Sequence, residues 1–286
     1  MKITEILSSG RVTVSCELFP PKPGQPLEGA LRLVRETAQL SPSFISVTCG
    51  AAGTASGNTC EMAREAQSAG GVTALAHLVC MGSSRARIDE ALCQLRADGI
   101  ENILALRGDV PPSGERTGCY PHASDLTSAI ARYGGFCVGG ACYPEGHPES
   151  HDLAADIEGL KRKVDAGCAF LTTQMFFDNS VLYSFLFRLL RAGVTVPVIA
   201  GIMPVTNAAQ ITRILHLSGG TLPPRFRAIV DRFQDNPPAM RQAGIAYATE
   251  QIIDLIACGV NNVHLYTMNK PEIAAGIMRN LSEIFR

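Results

Sequence analysis

A single α/β domain closed as a (β/α)8 TIM barrel is the fold this sequence predicts, on three observations. Short aliphatic runs alternate with helix-spaced segments eight times along the 286 residues. Polar residues recur where those runs stop: Glu17, Thr48, His77, Arg107 with Asp109, Tyr143, Gln174 and Tyr266. No composition break or flexible linker divides the chain, and α/β barrels fill this length as one domain. A closed ring carries the carboxyl ends of all its strands to one mouth, where residues remote in sequence meet.

Strands are expected at about 12–18, 43–49, 72–79, 101–106, 136–142, 169–174, 196–201 and 261–266. Each is short, rich in Val, Ile, Leu and Ala, and bounded by Gly, Pro or polar residues, as buried parallel strands are. Helical spacing marks roughly 27–39, 58–68, 85–97, 124–132, 152–166, 181–191, 208–217 and 271–284. Gly99, Gly167, Gly193 and Gly259 fall just past helices, where a left-handed residue ends them. The crossover before the last strand is longer than the rest. It holds an extra element, LPPRFRAIVDRF, and then a helix from Pro238 to Cys258. One domain over 1–286 is expected, with no C-terminal regulatory domain.

Side chains alternate across a strand, so parity assigns the faces. Thr13, Ser15 and Glu17 share one face of the first strand, opposite Val12, Val14 and Cys16. Ser46 pairs with Thr48, Phe170 and Thr172 with Gln174, and His264 with Tyr266. The polar, smaller face is assigned to the lumen and the aliphatic face to the surrounding helices.

Charge excludes several partners. The chain has 25 basic and 26 acidic residues, a net charge of -1, and no basic run to attract nucleic acid or an anionic membrane. No apolar run approaches a membrane span, and MKITEILSSGRV lacks the apolar segment of a secretory signal. The 10 cysteines are scattered singly, without a CxxC pair, so buried reduced thiols and no metal are expected, together with a cytoplasmic location.

Three segments carry chemistry. In SCELFPPK, Glu17 ends a strand that two prolines then stop. Burial favours the neutral form of such a carboxyl and suits it to act as an acid, while an ion pair with Lys22 or Arg107 is the plainer role. Arg107-Gly108-Asp109 follows an apolar strand. It offers a bare backbone for a flat ligand, a cation for phosphate and a carboxylate near reacting atoms, or simply a local ion pair. On the helix from Asp152, Leu153, Ile157, Leu160 and Val164 form an apolar stripe. Asp156, Gly159 and Lys163 form a second line beside it, which is either a solvated face or, with Arg162, a grip for a diphosphate and its sugar. Neither a Rossmann nor a P-loop glycine pattern is present, so a cofactor must bind at the barrel mouth itself.

Taken in order, CELFPPK, SVTCGA, ALRGDVPP, YPEGHPE, LKRKVDAGCAFLTTQMFFD, GIMPVTN and HLYTMN resemble the 5,10-methylenetetrahydrofolate reductase family from about Val12 to Leu281. The resemblance implies FAD at the barrel mouth, NADH or NADPH as reductant, and methylenetetrahydrofolate as the substrate reduced to 5-methyltetrahydrofolate. It implies Glu17 as general acid and Asp109 as the carboxylate that steadies the substrate cation and tunes the flavin. Thr48, Cys49, Ala51, His77, Arg107, Gly108, Ala123, Ala141, Tyr143, His147, Asp156, Arg162 and Lys163 match FAD positions. Gln174, Gln210, Tyr266 and Lys270 match folate positions. Cys49 stands where the family usually has tyrosine, Gly159 where it has a polar residue, Lys270 where it has arginine, and Ile214 where an aromatic often covers the substrate. A homo-oligomer is implied. The alternative is a flavin-independent folate barrel, working by direct hydride transfer or as a methyltransferase module.

Overall fold

The computed structural model describes residues 1–22, 24–49, 57–110, 114, 117–211, 214, 215 and 220–285. The chain runs α1 (Ile3–Leu7), β1 (Thr13–Leu18), α2 (Glu28–Ala38), β2 (Phe44–Val47), α3 (Gly57–Ser68), β3 (Ala74–Val79), α4 (Arg85–Ala97) and β4 (Asn102–Leu106). It continues through α5 (Ala123–Tyr133), β5 (Cys137–Cys142), α6 (Leu153–Asp165), β6 (Phe170–Thr173), α7 (Asn179–Arg191) and β7 (Val198–Ile202). A 3-10 turn at Ala208–Gln210 leads to α8 (Pro224–Phe233), α9 (Pro237–Ala257), β8 (Asn262–Tyr266) and α10 (Pro271–Asn280).

The eight strands are parallel and close into a barrel in sequence order, β1 pairing with both β2 and β8. Registers such as Glu17 opposite Ser46 and Glu17 opposite Tyr266 bring the polar faces of β1, β2 and β8 together in the lumen, as parity predicts. The aliphatic faces pack outward. Ile45, Val47, Ala76, Leu78, Ile103 and Ala105 lie in one shell with residues of α2 to α5, and Val14, Ala200, Ile202, Val263 and Leu265 in another with α6, α7, α9 and α10. Side chains close several helix starts: Ser84, Asp152, Asp178 and Asn236 each accept from an amide in the first turn.

The floor of the lumen is apolar. Phe44, Leu75, Leu104, Cys137, Phe170 and Ile199 point inward and pack with Ile3 and Leu7 of α1, which lies across the foot of the barrel. Asn102, fully buried, fixes that helix: its Oδ1 accepts from Ile3 N–H at 2.8 Å and its Nδ2 donates to Met1 O and Ala74 O. Five residues are too few to show a helical period, so α1 has no sequence signal. Phe170 fits because Gly139 faces it; a Cβ there would lie 2.3 Å from the ring.

Three expectations need correction. The segment 208–217 opens with a 3-10 turn rather than an α-helix, although Ile211, Ile214 and Leu215 are helical. Leu153 is exposed and belongs to no core stripe; it lies over Gly146. Cys93 and Cys258 are exposed rather than buried. Among the described residues, no helix is long and apolar enough to cross a membrane.

Candidate active site

The carboxyl ends of β4 and β5, the start of α5 and one side of α6 enclose a cavity of about 530 Å³. It is lined by Arg107, Gly108 and Asp109 after β4, Ala123 at the start of α5, Ala141, Tyr143 and His147 at and beyond β5, and Asp156, Gly159, Arg162 and Lys163 of α6. The second helical line read from the sequence thus faces the cavity. Asp109 is exposed at the edge, so it is free to meet a ligand.

Two cations of this cavity are already engaged. Arg107 makes a two-pronged ion pair with Glu149, Nη1 to Oε2 at 2.7 Å, and this bond raises the guanidinium pKa further. It is therefore a neutralised cation, and the partner foreseen as Glu17 is Glu149 instead. Lys163 runs its stem over Gly140, where a Cβ would lie 2.6 Å from Cδ, and donates from Nζ to Ala141 O at 2.6 Å. Burial lowers its pKa. The pair Gly139-Gly140 is thus used on both faces, inward for Phe170 and outward for Lys163. Glycines inside a strand signal such close approaches. At Gly159 the helix leaves room: the nearest neighbour of an added Cβ is Arg162 Nη2 at 3.7 Å. At Gly108 the backbone is left-handed (φ 90°) and a Cβ would lie 2.4 Å from Val79, so only glycine fits.

Glu17 is not part of that cavity wall. It is buried in the lumen at the end of β1, with Oε2 3.8 Å from His77 Nε2 and 3.7 Å from His264 Nε2. Each imidazole is also held by a serine at 2.7 Å: His264 on its far side, Nδ1 to Ser15 Oγ, and His77 at the same Nε2 that faces Glu17, to Ser46 Oγ. The ion pair with Lys22 or Arg107 is replaced by this Ser–His–Glu–His–Ser arrangement. His264 had no signal beyond its parity with Tyr266.

Burial lowers the His77 pKa from 6.5 to about 4 despite the nearby Glu17 carboxylate. The native imidazole refuses a proton that the unfolded chain accepts below pH 6.5. Stability is therefore full above about pH 6.5 and declines by about 3 kcal/mol as pH falls toward 4. Urea midpoints measured between pH 7 and 4 should show this slope, and His77→Asn should flatten it; an unchanged slope in the variant would refute the assignment.

Gln174 and Tyr266 link the two regions. Gln174 hydrogen-bonds the Tyr143 phenol, and burial with the Asp109 charge raises the pKa of that phenol. Tyr266 donates to Thr173 O at 2.6 Å and lies over Gly201, where a Cβ would meet its hydroxyl at 2.9 Å. Burial first, then the charge of Glu17, raises its pKa well above the usual value. The charge of Asp109 thus acts on Tyr143, and that of Glu17 on Tyr266. Thr48 and Thr172 have buried hydroxyls with no hydrogen-bond partner among the described residues.

The remaining candidates are dispersed. Cys49 donates from Sγ to His77 O at 2.7 Å, and burial pushes its thiol up to about 12. Lys270 and Ile214 share a small recess with Met203, Thr206 and Met268, and Ile214 packs with Phe226 and Val230. The backbone of Gln210 lies in the 3-10 turn, while Ala51 lies outside the described residues.

The turn after β8 was also unforeseen. Lys270 N–H bonds Thr267 O at 3.0 Å, and both central residues are left-handed, Met268 at φ 53° and Asn269 at φ 56°. Neither is glycine, so the turn costs on the order of 1 kcal/mol per residue. Such outliers collect where the surrounding contacts hold them for a purpose.

Fold and site together define a parallel barrel that builds its chemistry at the carboxyl ends of its strands. The family model described as methylenetetrahydrofolate reductase matches residues 2–282. The chain belongs to the methylenetetrahydrofolate reductase family. It is 36% identical to methylenetetrahydrofolate reductase (NADH) 1 of Zea mays over 299 residues, covering 99% of this chain but 50% of that protein. It is 32% identical to 5,10-methylenetetrahydrofolate reductase of Escherichia coli (strain K12) over 272 residues, covering 95% of this chain and 91% of that protein. The chain thus spans about half the length of its plant relatives and nearly all of the bacterial one. A protein from Clostridium thermocellum described as binding two copies of 5-methyl-5,6,7,8-tetrahydrofolic acid has the same fold, with TM-score 0.69, 12% identity and coverage of 100% of this chain and 99% of that one.

Proposed function

We propose that this chain reduces methylenetetrahydrofolate to 5-methyltetrahydrofolate, with FAD as its resident cofactor and NADH or NADPH as reductant. One observation carries the reading: a buried carboxyl, Glu17, stands between two imidazoles at the strand ends of a barrel whose mouth holds a cavity lined by Arg107, Asp109, Asp156 and Arg162. The plant relatives are named as NADH enzymes, which favours NADH.

The residues present fit FAD. Arg162 supplies positive charge for a diphosphate, with Lys163 beside it anchored on Ala141 O, and Asp156 an acceptor for sugar hydroxyls. The unpartnered hydroxyls of Thr48 and Thr172 are what a polar ring edge would satisfy. Bound there, the flavin supplies the two-electron relay between nicotinamide and folate.

The chain's own residues do the rest. The folate ring must open before it can accept hydride, and N10 needs a proton to leave; Glu17 supplies it. Neutral His77 sets no full positive charge against that carboxyl. Asp109, exposed at the edge, places negative charge where the opened ring is cationic. Gln174 and Tyr266, at the ends of β6 and β8, orient the pterin.

The purified protein should show oxidised-flavin absorbance that NADH bleaches and methylenetetrahydrofolate restores. A colourless protein that FAD does not reconstitute would overturn the reading.

A further inference from the structure

We propose that Asn269 is a positioning residue that fixes Glu17 through the main chain behind it. The inference rests on Glu17 being the acid of the proposed reaction. Strand pairing of β1 ends at Leu18, opposite Val47, where Thr48 N–H donates to Leu18 O at 3.0 Å. The next peptide has no strand to pair with, and Pro20 and Pro21 beyond it have no N–H to give. The Asn269 carboxamide takes the place of a strand: its Oδ1 accepts from Phe19 N–H at 2.8 Å and its Nδ2 donates to Phe19 O at 3.0 Å. Thr267 Oγ1 donates to Glu17 O at 2.6 Å. Three bonds from one turn thus hold Glu17 and Phe19, on either side of Leu18 and 250 positions away in sequence.

The conformation of the turn makes this possible. The positive φ of Met268 and Asn269 turns the chain back over the end of β1, so that the carboxamide lies alongside Phe19. Strain is retained in the turn, and what it yields is a fixed backbone beneath the acid. With the main chain pinned, the Glu17 side chain has little freedom except between His77 and His264.

Asn269→Gly tests this, because glycine takes the left-handed conformation freely and deletes only the carboxamide. NADH oxidation with a quinone acceptor should stay within about twofold of wild type, whereas folate reduction should slow about tenfold, as for a misplaced acid. Asn269→Asp, which keeps the acceptor for Phe19 N–H, should recover part of that loss. In a Glu17→Gln background, Asn269→Gly should add nothing further to the folate defect. Equal slowing of both half-reactions, no slowing of either, or a second full tenfold loss in the Glu17→Gln background would each overturn the role. Failure of the wild-type protein to reduce folate at all would remove the proposed reaction, and this inference with it.

Discussion

Glu17→Gln is expected to leave coenzyme oxidation near the wild-type rate while folate reduction falls about a thousandfold, the usual scale for removing a general acid. Glutamine has the same shape and keeps a polar head between His77 and His264, but it has no acidic proton to give. Those imidazoles stand 3.8 and 3.7 Å from Glu17 Oε2, so the pocket loses no packing in the exchange. Stopped-flow measurement of the two half-reactions separates the steps. Normal folate turnover by the variant would show that the proton comes from elsewhere.

Phe170→Ala is expected to cost about 3–5 kcal/mol of stability, because it empties the middle of the barrel floor. The ring is fully buried among Phe44, Leu75, Leu104, Ile199 and the α1 side chains, and none of these is placed to collapse into the gap. The complementary change, Gly139→Ala, sets a methyl 2.3 Å from the same ring and should destabilise by about 1–3 kcal/mol. Combining Gly139→Ala with Phe170→Leu should cost less than the two separate losses added together, since the smaller side chain makes room. Urea unfolding of the wild type, the three single variants and the double variant checks this. Strict additivity, or a Phe170→Ala loss below 1 kcal/mol, would mean that the floor is not packed as described.

Most of the fold could be read without coordinates, for a definite reason. Buried parallel strands must be short and aliphatic, and they must stop at glycine, proline or polar residues. All eight were legible to within about two residues, and parity put Glu17, Ser46 and His264 on the inner face. The cavity residues of α6 followed from helical spacing, since Asp156, Gly159 and Lys163 recur on one side. Legibility failed where the deciding interaction is not periodic. The Arg107 partner is Glu149, 42 residues on, and no local pattern announces it. The left-handed turn at Met268 and Asn269 lacks the glycine that usually marks one. The two-sided use of Gly139 and Gly140 depends on which large side chains face them, and that is known only once β5 lies between Phe170 and Lys163.

The short helix across the foot of the barrel covers that end of the interior, with Ile3 and Leu7 packed on its floor. On the proposed reading, ligands that share Glu17 therefore use the mouth in turn rather than passing through the floor. The same holds for the proton on that reading: one given up by Glu17 would be replaced by water or solute entering through the mouth. A catalyst shaped in this way recharges only between visitors.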